Sequence, residues 1–116
     1  MQALLDVNMY HPTALLKAFL PTLIQRKDTK CGIIFVSSVA GYSPLPYLQT
    51  YSATKAYVNY LATAVEFELK SDGNDHIDLQ ILTPNFVATQ MVDDVRALFN
   101  MLCTASVERV VNASLR

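Results

Sequence analysis

Two short strand-like runs, GIIFVSS at residues 32–38 and IDLQILT at residues 77–83, flank a long helical pattern and largely decide the fold. The first is β-branched, aromatic and apolar on both sides, which is how a strand buried in a parallel sheet reads. Parallel neighbours need a crossover of about a dozen residues or more, usually a helix. The stretch from about Thr50 to Lys70 is long enough to supply one. Within it Ala56, Leu61, Ala64, Val65 and Leu69 offer apolar surface, while Tyr51, Lys55 and Asn59 share one face. Thr50 or Ser52 is the expected cap of its start, and Gly73 with Asn74 marks its end.

Upstream, residues 2–26 place Leu5, Met9, Leu15, Leu16, Phe19 and Leu20 near the 3.6-residue spacing of a helix. Pro12 is expected to kink or restart that helix, and Pro21 to tighten its last stretch. Pro44 and Pro46 make residues 41–49 an extended loop. After Pro84 an amphipathic helix is expected around Met91 to Leu102, and the tail SVERVVNASLR begins another. Helix, strand, helix, strand, helix is the rhythm of an α/β fold with a parallel sheet. Two strands leave both sheet edges open, and so small a unit buries little apolar area. The chain of 116 residues is therefore expected to be a slice of a larger domain.

Composition excludes several classes. A net charge of −1 gives no reason to expect nucleic acid or an anionic membrane surface as partner. Uninterrupted apolar stretches fall well short of the roughly 20 residues of a membrane span. The N-terminus lacks a signal-peptide pattern, because Asp6, Asn8 and His11 interrupt it. Cys31 and Cys103 are too few for a disulfide framework and read as reduced thiols. His11 and His76 have no ligand-spaced partners, so no metal site is expected. Asp93 and Asp94 suit the positive end of the helix they open. Gly32, Gly41 and Gly73 lie too far apart to form a phosphate-cradling loop.

The chemistry lies in the segment SSVAGYSPLPYLQTYSATK, residues 37–55. Of five lysines only Lys55 stands four residues after a tyrosine, Tyr51, so phenol and ammonium share a helix face. A phenol near pKa ~10 is a poor acid or base at neutral pH. An ammonium within about 6 Å favours the phenolate and brings proton transfer into range. Ser38 leaves the first strand at its C-terminal end, where ligands of open α/β sheets sit. An acidic phenol, a cation and a hydroxyl suit proton transfer to an oxygen during carbonyl reduction or alcohol oxidation. The Tyr51–Lys55 pair by itself is weak, because such pairs more often arise by chance on a helix.

Together these residues resemble the short-chain dehydrogenases/reductases, whose signature is a serine, a tyrosine thirteen residues on and a lysine four further: Ser38, Tyr51 and Lys55. Asp6-Val7-Asn8 matches the family's catalytic asparagine. Pro84-Asn85-Phe86-Val87-Ala88-Thr89 resembles its proline loop, with Asn85 in place of a glycine. Asn tolerates left-handed backbone angles better than most residues, which softens that departure. YSATK with a P-x-FVAT loop resembles the 17β-hydroxysteroid dehydrogenase and very-long-chain 3-oxoacyl-CoA reductase branch.

The resemblance implies a partial Rossmann-like, doubly wound sheet, with residues 1–116 as an incomplete catalytic segment lacking the N-terminal nucleotide-binding half. It implies that Tyr51 protonates the carbonyl oxygen, Ser38 holds that oxygen and Asn8 anchors a relay water. Lys55 tunes Tyr51 and binds the nicotinamide ribose. Thr89 and the backbone at Phe86 and Val87, following Pro84, contact the carboxamide. Ser37 is set aside by spacing alone and satisfies strand-end backbone groups. The implied cofactor is NADPH in preference to NAD, and the implied substrate a steroid or long-chain acyl group. Met91, Leu98, Phe99, Met101 and Leu102 read either as a lid over such a substrate or as core. The implied partner is a second copy, paired through the Asn8 and Tyr51 helices. The implied location is the endoplasmic reticulum, or otherwise the cytoplasm. The alternative is a truncated, inactive member that serves only as an interaction or regulatory partner of a full-length dehydrogenase.

Overall fold

A computed structural model describes residues 1–85 and 106–115. The chain enters through one continuous helical rod built of α1 (Gln2–Leu5), a π turn (Asp6–Tyr10) and α2 (His11–Gln25). Strand β1 (Cys31–Val36) follows, then a 3₁₀ turn (Val39–Gly41), helix α3 (Gln49–Ser71) and strand β2 (Ile77–Leu82). A short helix, α4 (Val107–Ser114), is capped by Ser106, whose Oγ accepts from the Arg109 N–H at 3.3 Å.

The two strands pair in parallel, Cys31 opposite Ile77 through Val36 opposite Leu82, and α3 is the crossover between them. Cys31, Ile33 and Phe35 of β1 and Ile77, Leu79 and Ile81 of β2 alternate toward the helices. Phe35 packs with Val58 and the fully enclosed Ala62 of α3; Ile77 packs with Val65 and Leu69. Leu16, Leu20 and Leu23 of α2 pack on the same clusters. Burying side chains of this kind contributes roughly 1.5–3 kcal/mol each.

The opposite face departs from the sequence expectation of a strand covered on both sides. Ile34 and Val36 are 44% and 57% exposed, and their neighbours across the ladder include the exposed Asp78 and Gln80. Among the described residues only one face of the sheet is covered.

The ends of α3 show why local sequence signals differ in value. Gly73 has φ +71°; its N–H donates to Lys70 O at 3.2 Å, and the next N–H, of Asn74, donates to Leu69 O at 2.9 Å. That is the double bond pattern that closes a helix through a left-handed residue, and glycine adopts it without a Cβ clash. At the other end neither Thr50 nor Ser52 is the cap. Leu48 occupies the position without a side-chain bond. Ser52 lies inside the helix and accepts instead from the Leu45 N–H at 3.1 Å, tying the preceding loop down.

At Pro12 the rod restarts as the sequence suggests: α2 opens at His11, with Pro12 in its first turn. Proline has no N–H for the carbonyl four residues back, and its ring crowds that carbonyl. The chain answers with a π turn just upstream, in which the His11 N–H reaches Asp6 O, five residues back. Thr13 Oγ1 and Tyr57 Oη then join α2 to α3 at 2.6 Å.

Candidate active site

The exit of β1 is stitched to the first turns of α3. The ladder runs one residue past the strand, where the Ser37 N–H donates to Leu82 O at 2.8 Å. Ser37 Oγ then donates to Lys55 O at 3.2 Å, and Lys55 Nζ donates back to Val36 O at 3.1 Å. A strand end and a helix turn thus exchange two hydrogen bonds in opposite directions. Ser37, set aside by spacing, is a structural tie to the signature lysine.

Ser38 is 9% exposed and holds extended backbone, φ −163°. Its Oγ accepts from the Ala40 N–H at 3.2 Å and so caps the 3₁₀ turn. A hydroxyl has one proton and two lone pairs, so this bond leaves the Ser38 proton available to a substrate oxygen. The next N–H, of Val39, donates to Pro84 O at 3.1 Å. That bond brings Pro84, the first residue of the proline loop, beside the serine. Phe86, Val87 and Thr89 lie outside the described residues, as do the lid candidates Met91, Leu98, Phe99, Met101 and Leu102, and Asp93, Asp94 and Cys103.

Tyr51 and Lys55 converge. The Lys55 ammonium sits over the Tyr51 ring, 5.7 Å from its centroid, inside the range at which a cation feels the ring's negative face. Half-burial of that ammonium holds the Lys55 pKa below its ordinary 10.5, since desolvation disfavours the charged form. Gly41 makes the close packing possible. A Cβ there would stand 2.8 Å from the Lys55 backbone carbonyl and 2.8 Å from Asn59 Nδ2. Asn59 is 6% exposed, and both polar atoms of its side chain are buried without a protein partner.

Asn8 occupies the centre of the π turn, and its Nδ2 donates to Thr54 Oγ1 at 3.0 Å. Thr54 Oγ1 donates in turn to Tyr51 O at 2.7 Å. Asn8 and Lys55 also line one apolar groove of about 510 Å³ between α2 and β1, walled by Leu15, Phe19, Ile34 and Val36. Ser38, Tyr51, Lys55, Asn8 and Pro84 are therefore linked through neighbouring contacts at one end of the sheet. Sequence reasoning missed Thr54 and gave Asn59 no role beyond a shared helix face. Nothing in apolar periodicity marks a buried polar residue. Among the described residues no cluster of His, Cys, Asp and Glu could hold a metal, and no helix is long and apolar enough to cross a membrane.

The short chain dehydrogenase family profile matches residues 1–98. A hydroxysteroid dehydrogenase-like protein 1 of Gallus gallus is 36% identical over 77% of this chain, which covers 25% of that protein. A very-long-chain 3-oxoacyl-CoA reductase of Anas platyrhynchos is 35% identical over 76% of the chain, covering 27% of the reductase. An inactive hydroxysteroid dehydrogenase-like protein 1 of Homo sapiens is 34% identical over the same 76%, covering 25% of its length. A solved short-chain dehydrogenase from Sphingobium yanoikuyae, in complex with NADPH, superposes with a TM-score of 0.79 at 26% identity. That superposition covers 96% of this chain and 42% of the solved one. The chain thus spans about a quarter of the length of these curated relatives. Its two-stranded α/β unit is part of a Rossmann-type sheet. By sequence profile, by relatives and by fold, the chain belongs to the short-chain dehydrogenase family.

Proposed function

We propose that this chain carries the proton-transfer part of an NADP(H)-dependent interconversion of a carbonyl and a secondary alcohol on a steroid or long-chain acyl substrate. One observation carries the reading. Lys55 Nζ lies over the Tyr51 ring while bonded to the strand carbonyl two residues before Ser38, so phenol, ammonium and hydroxyl share one end of the sheet. The relatives' printed names, a hydroxysteroid dehydrogenase-like protein and a very-long-chain 3-oxoacyl-CoA reductase, support the substrate class.

Tyr51 gives its hydroxyl proton to the substrate oxygen, and Ser38 donates a second hydrogen bond to the same oxygen. The nearby Lys55 ammonium offsets the negative charge left on the phenol, and Asn8 holds the water that returns the proton. The donor set fits a nicotinamide ribose. Lys55 spends one of three N–H donors on Val36 O and keeps two for ribose hydroxyls. Bound there, the nicotinamide cofactor supplies the hydride. Pro84, Phe86, Val87 and Thr89 line its carboxamide side in this reading. The glycines of this chain form no phosphate loop, so none of them is assigned to the pyrophosphate. NADPH is assigned over NAD on the resemblance and on the NADPH-bound relative structure. Pairing of two copies through the Asn8 and Tyr51 helices, and work at the endoplasmic reticulum, complete the reading.

The test is Tyr51→Phe in a full-length context, which keeps the ring under the ammonium and removes only the hydroxyl. NADPH binding, followed by cofactor fluorescence, should be unchanged, and turnover of a 3-oxoacyl-CoA should fall by on the order of 100-fold or more. Undiminished turnover removes Tyr51 from the reaction. A second reading, a non-catalytic partner of a full-length dehydrogenase, is favoured by the human relative whose printed name calls it inactive. It predicts that the chain binds no NADPH yet associates with a full-length family member in sedimentation.

A further inference from the structure

We propose that Asn59 is a positioning residue for Ser38, its buried carboxamide being the piece of α3 that fits the serine turn to the helix. The functional consequence rests on the role given above to Ser38; the fit itself does not.

Asn59 is 6% exposed, and neither Oδ1 nor Nδ2 has a hydrogen-bond partner among the described residues. The buried Ser37, Ser38, Ser52 and Thr54, by contrast, each make at least one side-chain bond. A buried amide without partners disfavours folding relative to an apolar group of the same shape. Packing alone would therefore be better served by a leucine. What the amide does touch is the serine turn. A Cβ built on Gly41 would stand 2.8 Å from Asn59 Nδ2, so the carboxamide lies against the space that the glycine leaves open. The same Cβ would stand 2.8 Å from the Lys55 backbone carbonyl, which the helix holds in place. Asn59 and the Lys55 backbone together thus set how closely the turn lies on α3. That turn is built on Ser38. The Gly41 N–H donates to Ser38 O at 3.0 Å, and the Ala40 N–H donates to Ser38 Oγ at 3.2 Å. A displacement of Gly41 is carried to Ser38 through these two bonds. An amide is flat and its end atoms are smaller than methyl groups. It fits a gap that leucine overfills and alanine leaves empty. Lys55 stands one helical turn before Asn59, and Tyr51 one turn before Lys55, so the seat of the serine turn and both signature side chains share one face of α3.

The test uses Asn59→Leu and Asn59→Ala, which err in opposite directions, so that one remains readable if the other does not fold. In the ¹⁵N-labelled 116-residue chain, the probe is hydrogen exchange of the Ala40 N–H, the group bonded to Ser38 Oγ. The reference is the Ser37 N–H, bonded to Leu82 O across the ladder. Both variants should speed Ala40 exchange at least about tenfold relative to Ser37. An unchanged ratio in either folded variant overturns the proposal. Turnover with NADPH and a long-chain 3-oxoacyl-CoA, measured in a full-length context, separates positioning from packing. Asn59→Leu should lower kcat about tenfold with the KM for NADPH within about twofold. Added to Ser38→Ala, the same substitution should cost less than about twofold, because Asn59 acts through Ser38. Losses that multiply in the double variant overturn the positioning role, and so does a raised KM with unchanged kcat. If the native protein shows no turnover while Ala40 exchange still follows Asn59, the oxidoreductase reading falls and the fit of Asn59 to the serine turn stands.

Discussion

Adding one methyl group at Gly41 tests how tightly the serine turn must sit on α3. The Cβ of Gly41→Ala would stand 2.8 Å from Lys55 C, Lys55 O and Asn59 Nδ2. Two of those atoms are helix backbone and cannot rotate away. Relieving the clash from 2.8 Å to 3.4 Å, where ordinary contact begins, moves the turn off the helix by about 0.6 Å. The Ser37 Oγ to Lys55 O bond starts at 3.2 Å and does not survive such a shift along its length. Overpacking of this kind costs about 1–3 kcal/mol. Ser38 moves with the turn, and since a misplacement of about 1 Å can cost on the order of 100-fold in rate, a loss of about tenfold is expected in the proposed reaction. Urea unfolding followed by far-ultraviolet circular dichroism reads the stability. Gly32→Ala is the control. A Cβ at Gly32 meets nothing within 4 Å, and replacing a strand glycine gains up to about 1 kcal/mol. Should Gly41→Ala unfold at the same urea concentration as Gly32→Ala, the close approach of the turn to α3 is not a constraint and the reasoning fails.

Two other perturbations probe the ties around the site. Burial lowers the Lys55 pKa below 10.5, so between the lowered value and 10.5 the unfolded chain binds more protons than the folded one. Stability relative to Lys55→Met should therefore rise with pH across that window, as read from urea midpoints; a difference that stays flat or falls with pH refutes the desolvation. Tyr57→Phe removes the 2.6 Å bond to Thr13 that joins α2 to α3. It should cost about 0.5–1.5 kcal/mol in urea unfolding, and a variant as stable as the native chain would show the bond to be idle.

The sequence reading succeeded where a signal is local and its geometry rigid. The βαβ rhythm, the Gly73-Asn74 stop and the Tyr51–Lys55 spacing all work through fixed helix or strand periods, so counting residues is equivalent to measuring space. It failed where tertiary contacts outbid a local preference. Ser52 is a good cap residue, yet the loop before it offers the Leu45 N–H, and Leu48 takes the N-cap position without a side-chain bond. Ile34 and Val36 are good core residues, yet none of the described residues covers their face.

The thirteen-residue interval from Ser38 to Tyr51 belongs to neither class. A four-residue step on a helix is a distance; thirteen residues through a proline-broken loop are not. What turns that interval into geometry is a set of separate contacts: Ser37 on Lys55 O, Lys55 on Val36 O, Val39 on Pro84 O, Leu45 on Ser52 Oγ, and Gly41 against the Lys55 carbonyl. Three of the five involve Lys55. The lysine therefore has a structural part that its charge alone does not explain. Its ammonium fixes the strand exit and its carbonyl receives Ser37, the neighbour of Ser38. A lysine so placed stays desolvated beside the phenol because the backbone at both its ends is occupied. Its lowered pKa and its position follow from the same packing, and a substitution that loosens the turn should relax both together.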